Sequence, residues 1–143
     1  MWRFLTLVAI AGAAFVGSFV PTRAGETPSP PGARVYIVWP HDGNVIHGGK
    51  LWLRMGAQGI GVVPANIVKP KTGHHHVIVD ADLPSFDDEI PNDRNHLHFG
   101  AGQTEARLEL PPGRHTIQLL MGNHDHVPHN PPLYSKKIEI TVP

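Results

Sequence analysis

Alternating apolar and polar residues divide the chain into short segments that predict β-strands. In residues 50–56, Leu51, Leu53 and Met55 alternate with Trp52 and Arg54, which places three apolar side chains on one face of a strand. No window of 11 or more residues after residue 24 carries a helical repeat free of Gly and Pro. Runs of β-branched and apolar residues predict further strands at 34–39, 74–80, 106–110, 113–121 and 135–142.

The number and spacing of these strands predict an all-β fold. Six or seven short strands with turn residues between them are typical of a single immunoglobulin-like antiparallel β-sandwich, here over residues 34–143. A small β-barrel is the alternative. Residues 57–73 and 81–105 hold few strand signals, and connections of that length in a compact domain usually have a function or cover a site.

The amino-terminal residues predict an export signal. An apolar run over residues 4–20 is followed by Thr22-Arg23-Ala24, with small residues where a signal peptidase reads. We therefore expect a signal peptide over 1–24, a Pro-rich leader over 25–33, and a periplasmic or secreted protein with no membrane span after cleavage. A retained membrane anchor is the alternative, because 17 apolar residues are just long enough to span a bilayer.

Composition narrows the chemistry that the domain can perform. The 143 residues include 11 histidines and no cysteine, and 12 basic residues balance 12 acidic ones. The lack of cysteine excludes disulfides, thiol nucleophiles, zinc ribbons and iron–sulfur clusters. The balanced charge, without a basic run, argues against a nucleic-acid partner. Any metal site must therefore use histidine, carboxylate or methionine.

Most histidines lie in three clusters that share one spacing. Each cluster contains a His-x-His pair, and residues i and i+2 of a β-strand project from the same face, so a pair can direct two imidazoles at one ion. Neutral imidazole suits copper and zinc. We therefore predict a divalent transition metal, copper or zinc, as cofactor. The predicted ligands are His74, His76, His96, His98, His126 and His129, with His75 and His124 as additional candidates.

The remaining histidines are predicted to be structural. His41, His47 and His115 have no paired histidine, and His115 shares parity with Ile117 on a predicted strand, which favours a position in the core. His75 has the parity of Val77, so it either faces the core or binds metal. No serine lies in a nucleophile-elbow pattern, and no catalytic residue is predicted.

Two other functions remain open from the residues alone. In the first, the domain is an envelope module that binds another protein or a glycan through Trp39 and Trp52, and the histidines are solvated rim residues. In the second, it is a copper-dependent redox enzyme, which requires an open coordination position. Metal carriage or homeostasis is the function that we expect first, because three His-x-His pairs occur together in a chain without cysteine.

Several sequence blocks resemble a known family. They are Gly61-Val-Val-Pro-Ala65, Gly73-His-His-His76, Asn95-His-Leu-His-Phe-Gly-Ala-Gly-Gln-Thr-Glu105, Leu110-Pro-Pro-Gly-Arg-His-Thr-Ile-Gln-Leu-Leu120 and His126-Val-Pro-His-Asn-Pro-Pro132. Together they resemble an uncharacterised family of secreted bacterial domains, catalogued as a domain of unknown function. The resemblance covers about residues 40–142. It implies an exported bacterial domain and supplies no activity.

Overall fold

The structure is a computed structural model that describes residues 26–143. The predicted signal peptide over 1–24, and the first residue of the predicted leader, lie outside the described residues. Within residues 26–143, no helix has the length and apolar character needed to cross a membrane.

The regular secondary structure of the described chain is almost entirely β-strand. A three-residue 3-10 turn at His47–Gly49 interrupts the series between the first two strands. The strands are β1 (Arg34–Trp39), β2 (Lys50–Gln58), β3 (Gly61–Val62), β4 (Thr72–Val79), β5 (His96–His98), β6 (Glu105–Glu109), β7 (Gly113–Gly122) and β8 (Ile138–Val142).

The strands form two sheets that pack face to face. The smaller sheet has the order β1-β2-β6, and the larger has the order β3-β4-β7-β8 with β5 added to β4. The sheets do not close into a barrel, so the predicted β-sandwich is confirmed. Most neighbours are antiparallel, but β3 pairs with β4 in parallel. Alternation explains the packing, since Leu51, Leu53 and Met55 of β2 are buried between the sheets while Trp52 is 56% exposed.

Two strands lie inside segments that carried few strand signals. β3 has two residues and β5 has three, which is too short for a period-2 pattern to be detected. β5 forms because its backbone pairs with the free edge of β4, with His98 opposite His76 and His96 opposite Ile78. Tertiary pairing, rather than local propensity, therefore determines these strands.

The larger sheet buries residues on both of its faces. Val77 of β4 points into the main core, whereas Ile78 points to the outer face, where it packs with Leu120 and Ile90 in a second, small apolar cluster. Ile90 belongs to the connection between β4 and β5, so this connection covers the outer face. The covered outer face is where the candidate site lies.

His115, near the start of β7, is a buried histidine whose two ring nitrogens are both hydrogen-bonded. Its Nδ1–H donates to Asp80 Oδ2 at 2.7 Å and its Nε2–H donates to the Pro111 carbonyl at 2.8 Å. Burial lowers the pKa of His115, but the Asp80 hydrogen bond, the Pro111 carbonyl and the Asp80 charge outweigh it, so that the pKa is raised. The stabilisation from this group is therefore complete below pH 6.5 and is lost as the pH rises through the pKa of the folded protein.

We expect Asp80→Asn to destabilise the protein more at pH 6 than at pH 9. Asparagine tolerates the left-handed backbone at this position, where φ is 54°, so the substitution chiefly removes the charge facing His115. The expected loss at pH 6 is about 1–3 kcal/mol, measured by urea unfolding. Asp82→Asn is the control, because Asp82 is 98% exposed and pairs only with Lys137. An equal loss at both pH values would contradict the charged His115–Asp80 pair.

Candidate metal centre

Two neighbouring strands bring three histidines together on the outer face of the larger sheet. His74 and His76 lie two residues apart on β4, so their side chains share that face. His98 of β5 is the register partner of His76, which places its ring beside theirs. His74 and His76 are each only 1% exposed.

A fourth histidine reaches this group from the loop after β7. His126 has a φ of 63°, a left-handed conformation that turns the chain back over the sheet. Asn123 builds the turn, because its Oδ1 accepts hydrogen bonds from the Asp125 and Val127 backbone amides, and its backbone carbonyl accepts one from His126. The His126 ring centroid lies 5.0 Å from that of His74 and 4.7 Å from that of His98.

We call His74, His76, His98 and His126 the outer cluster. One nitrogen from each of His74, His76 and His98 lies within 4.8 Å of the other two, and the Nε2 atoms of His74 and His76 are 3.0 Å apart. Zinc–nitrogen bonds of 2.0–2.1 Å in a tetrahedron separate the nitrogens by about 3.3 Å. Small side-chain rotations would therefore bring these nitrogens to ligand positions.

Electrostatics keep the buried rings neutral, which is the form that binds metal. Burial, together with the neighbouring His98 and His126, lowers the pKa of His74 to about 4. Burial and then His74 lower the pKa of His76 to about 2. Burial also lowers the pKa of His98, with a contribution from His126. Near pH 7 these three rings therefore present lone pairs rather than charge.

Two ring nitrogens of the outer cluster are buried without a hydrogen-bond partner. They are His76 Nδ1 and His98 Nε2. A buried polar atom without a partner costs about 1–3 kcal/mol. At His98 Nε2 a metal ion would remove this cost, and neutral imidazole is a ligand for copper, zinc, nickel and iron. The arrangement can thus bind a transition metal.

Two glycines make room for the rings. A methyl group at Gly100 would lie 2.3 Å from His98 Cε1 and 2.5 Å from His98 Nε2, and one at Gly122 would lie 2.9 Å from His76 Nε2. Neither φ is in the left-handed region, so the space beside the ring, rather than backbone freedom, requires glycine at these positions.

Other predicted ligands lie elsewhere. His96 is opposite Ile78, one step beyond the cluster on β5, and its Nδ1 is 2.9 Å from Asp93 Oδ1. His124 Nε2 lies 3.1 Å from Asp125 Oδ2, at a partly exposed position. Metal binding at these two histidines stays a prediction.

His75 and His129 are buried away from the outer face. His75 points into the main core with Val77 and is fully buried. His129 is 1% exposed, and its Nε2–H donates to the Thr72 carbonyl at 3.1 Å.

Sequence reasoning missed the residues that position the ligands. Asn123, Gly100 and Gly122 contact or shape the histidine loops but bind nothing themselves. A sequence signal existed for Asn123 alone, because asparagine after a strand often caps a turn through its side chain. The space needed at Gly100 and Gly122 depends on which ring lies opposite, and only the tertiary structure supplies that.

The fold and the site define a β-sandwich with a buried, neutral histidine cluster on the outer face of one sheet. The chain belongs to the family described as Domain of unknown function (DUF4399), whose model matches residues 53–143. This confirms the resemblance to a family catalogued as a domain of unknown function. No curated protein matches the chain, and no solved structure matches it.

Proposed function

We propose that this domain binds a divalent transition metal, copper or zinc, through the outer cluster, and that it carries the ion in the cell envelope. One observation supports the site above all. His74, His76 and His98 come from two strands, and one nitrogen from each lies within 4.8 Å of the others. A solvated rim would leave these rings exposed, whereas His74 and His76 are each 1% exposed.

The ligand chemistry favours copper or zinc over harder cations. The outer cluster contains imidazoles and no carboxylate, and magnesium and calcium require oxygen ligands. Three histidines are also the protein ligand set of some open zinc sites. His126 comes from a loop rather than a strand, so we propose that it completes the coordination shell and that its movement releases the ion.

Metal titration tests the proposal. We expect full-length protein without a histidine tag to bind Zn(II) or Cu(II) more tightly than about 10 μM in calorimetric titration. The double variant with His74→Gln and His76→Gln should bind the metal at least tenfold more weakly. The matched control is His41→Gln with His47→Gln, two exposed histidines outside the cluster, for which we expect unchanged affinity. Binding weaker than 10 μM, or equal weakening in both double variants, would refute the proposal.

An envelope-binding module is the second candidate, and one surface favours it. Trp39 and Trp52 are 38% and 56% exposed, and they border a groove of about 470 Å³ with Lys50 and Arg54. Trp52 projects from the exposed face of the smaller sheet, away from the histidine cluster. A partner bound there would therefore be independent of metal, and a chelator would not release it.

A further inference from the structure

His75 is an unusual residue for the core of a sandwich. It is fully buried, and neither its Nδ1 nor its Nε2 has a hydrogen-bond partner. A neutral imidazole carries one donor and one acceptor, so both are unsatisfied here. Phenylalanine would fill similar space without that cost. A fully buried histidine without a hydrogen-bond partner calls for a buried water or an ion as its partner.

Two further side chains with donor atoms meet beside Gly73, on the same face of β4. His75 is the register partner of Met121 on β7, so both side chains lie on the core face. Beside them on β4, the position that a Gly73 side chain would occupy is 2.8 Å from Met121 Sδ and 2.9 Å from His129 Cε1. Because Gly73 has no side chain, the sulfur and the imidazole border one small space.

His129 borders this space and has one ring nitrogen without a hydrogen-bond partner. Its Nε2–H donates to the Thr72 carbonyl, which leaves Nδ1 as the acceptor. His129 Nδ1 is buried and has no partner. Cε1 is bonded to both ring nitrogens, so Nδ1 is one bond away from the atom that borders the space. The thioether and the His129 ring thus border this space, and the unpartnered His75 ring lies on the same face of β4.

We propose that His75, Met121 and His129, which we call the inner cluster, form a second metal site that binds Cu(I). A thioether with imidazoles is a soft, neutral ligand set, which selects Cu(I) over harder ions. Because these ligands are uncharged, a monovalent ion leaves less net charge in the core than a divalent ion would. The inner cluster lies on the opposite face of β4 from the outer cluster, and the proposal does not rest on the function proposed above.

X-ray absorption of the copper-loaded protein tests this site. Full-length, tag-free protein is loaded anaerobically with Cu(I), and its affinity is measured by competition with a chromogenic Cu(I) chelator. We expect copper–sulfur scattering in the wild type. Met121→Leu should abolish this copper–sulfur scattering. In a protein that lacks the outer histidines His74 and His76, Met121→Leu should also weaken Cu(I) binding at least tenfold. Met55→Leu is the matched control, because Met55 is also a buried core methionine and should leave the scattering intact.

A second variant keeps the test independent of folding defects. His75→Phe removes both unsatisfied nitrogens, so we expect a higher melting temperature for the metal-free protein together with at least tenfold weaker Cu(I) binding. The inner site would be overturned if the wild type showed no copper–sulfur scattering, or if Met121→Leu still showed it. A buried water would then be the partner of His75. Failure of the outer cluster would instead appear as unchanged Zn(II) and Cu(II) affinity in the His74 and His76 variants.

Discussion

The metal-free protein is expected to lose stability in mild acid, starting near pH 6.5, which is above the range in which its carboxylates are protonated. Burial lowers the pKa of His74 and of His75 to about 4, and that of His76 to about 2. The unfolded chain takes up the same protons near pH 6.5. Above pH 6.5 these three histidines therefore do not reduce the free energy of unfolding. That free energy falls as the pH drops from 6.5 through about 4.

The size of the effect follows from the number of groups. One pKa unit corresponds to about 1.4 kcal/mol, and a domain has about 5–15 kcal/mol of stability in total. Three buried histidines with such shifts account for a large part of that range. We therefore expect most of the metal-free protein to be unfolded at pH 4, monitored by far-ultraviolet circular dichroism and by tryptophan fluorescence.

Two comparisons identify the histidines as the cause. His75→Phe should move the unfolding midpoint to lower pH, because one buried base is gone, whereas His47→Gln at an exposed position should not. Saturating Zn(II) should also lower the midpoint if the outer cluster binds it, since metal and protons compete for the same lone pairs. A free energy of unfolding that stays constant between pH 7 and pH 4 would contradict the buried neutral cluster.

Gly100→Ala is expected to abolish most metal binding although it removes no ligand. The added methyl group would lie 2.3 Å from His98 Cε1, and the ring is the mobile partner, so the ring moves and the backbone stays. Displacing a ligand by an ångström or more takes its nitrogen out of bonding distance. We expect about 10- to 100-fold weaker Zn(II) or Cu(II) binding, with a melting temperature close to that of the wild type.

Gly61→Ala is the matched control for this substitution. Its methyl group would lie 3.2 Å from the Thr72 methyl, which is a slightly tight contact in the same sheet. The added methyl group would touch no histidine. We expect its metal affinity to be unchanged. Equal affinities for Gly100→Ala and the wild type would show that His98 is not a ligand, while a large loss of stability in Gly100→Ala would mean that the backbone, rather than the ring, had moved.

The histidine spacing predicted part of the outer cluster correctly. His74 and His76 share a face of β4, as alternation along a strand requires, and alternation also predicts that His75 faces the core with Val77. Successive side chains of a strand point to opposite faces wherever the strand lies in the fold, so the sequence alone predicts which residues share a face. The pairing of His98 with His76 is not local. It depends on β5 adding to the edge of β4, and three residues carry too little pattern to predict that.

The sequence by itself determined the all-β class, the family resemblance, the neutral ligand types and the faces of the long strands. All of these depend on composition and on a two-residue period. The tertiary structure alone decided which histidines meet. It brought His98 and His126 to His74 and His76, and it placed His129 beside Met121 on the opposite face of β4. The physical reason is that metal geometry is set by distances between strands and loops remote in the chain, and those distances follow from pairing and packing rather than from spacing along the sequence.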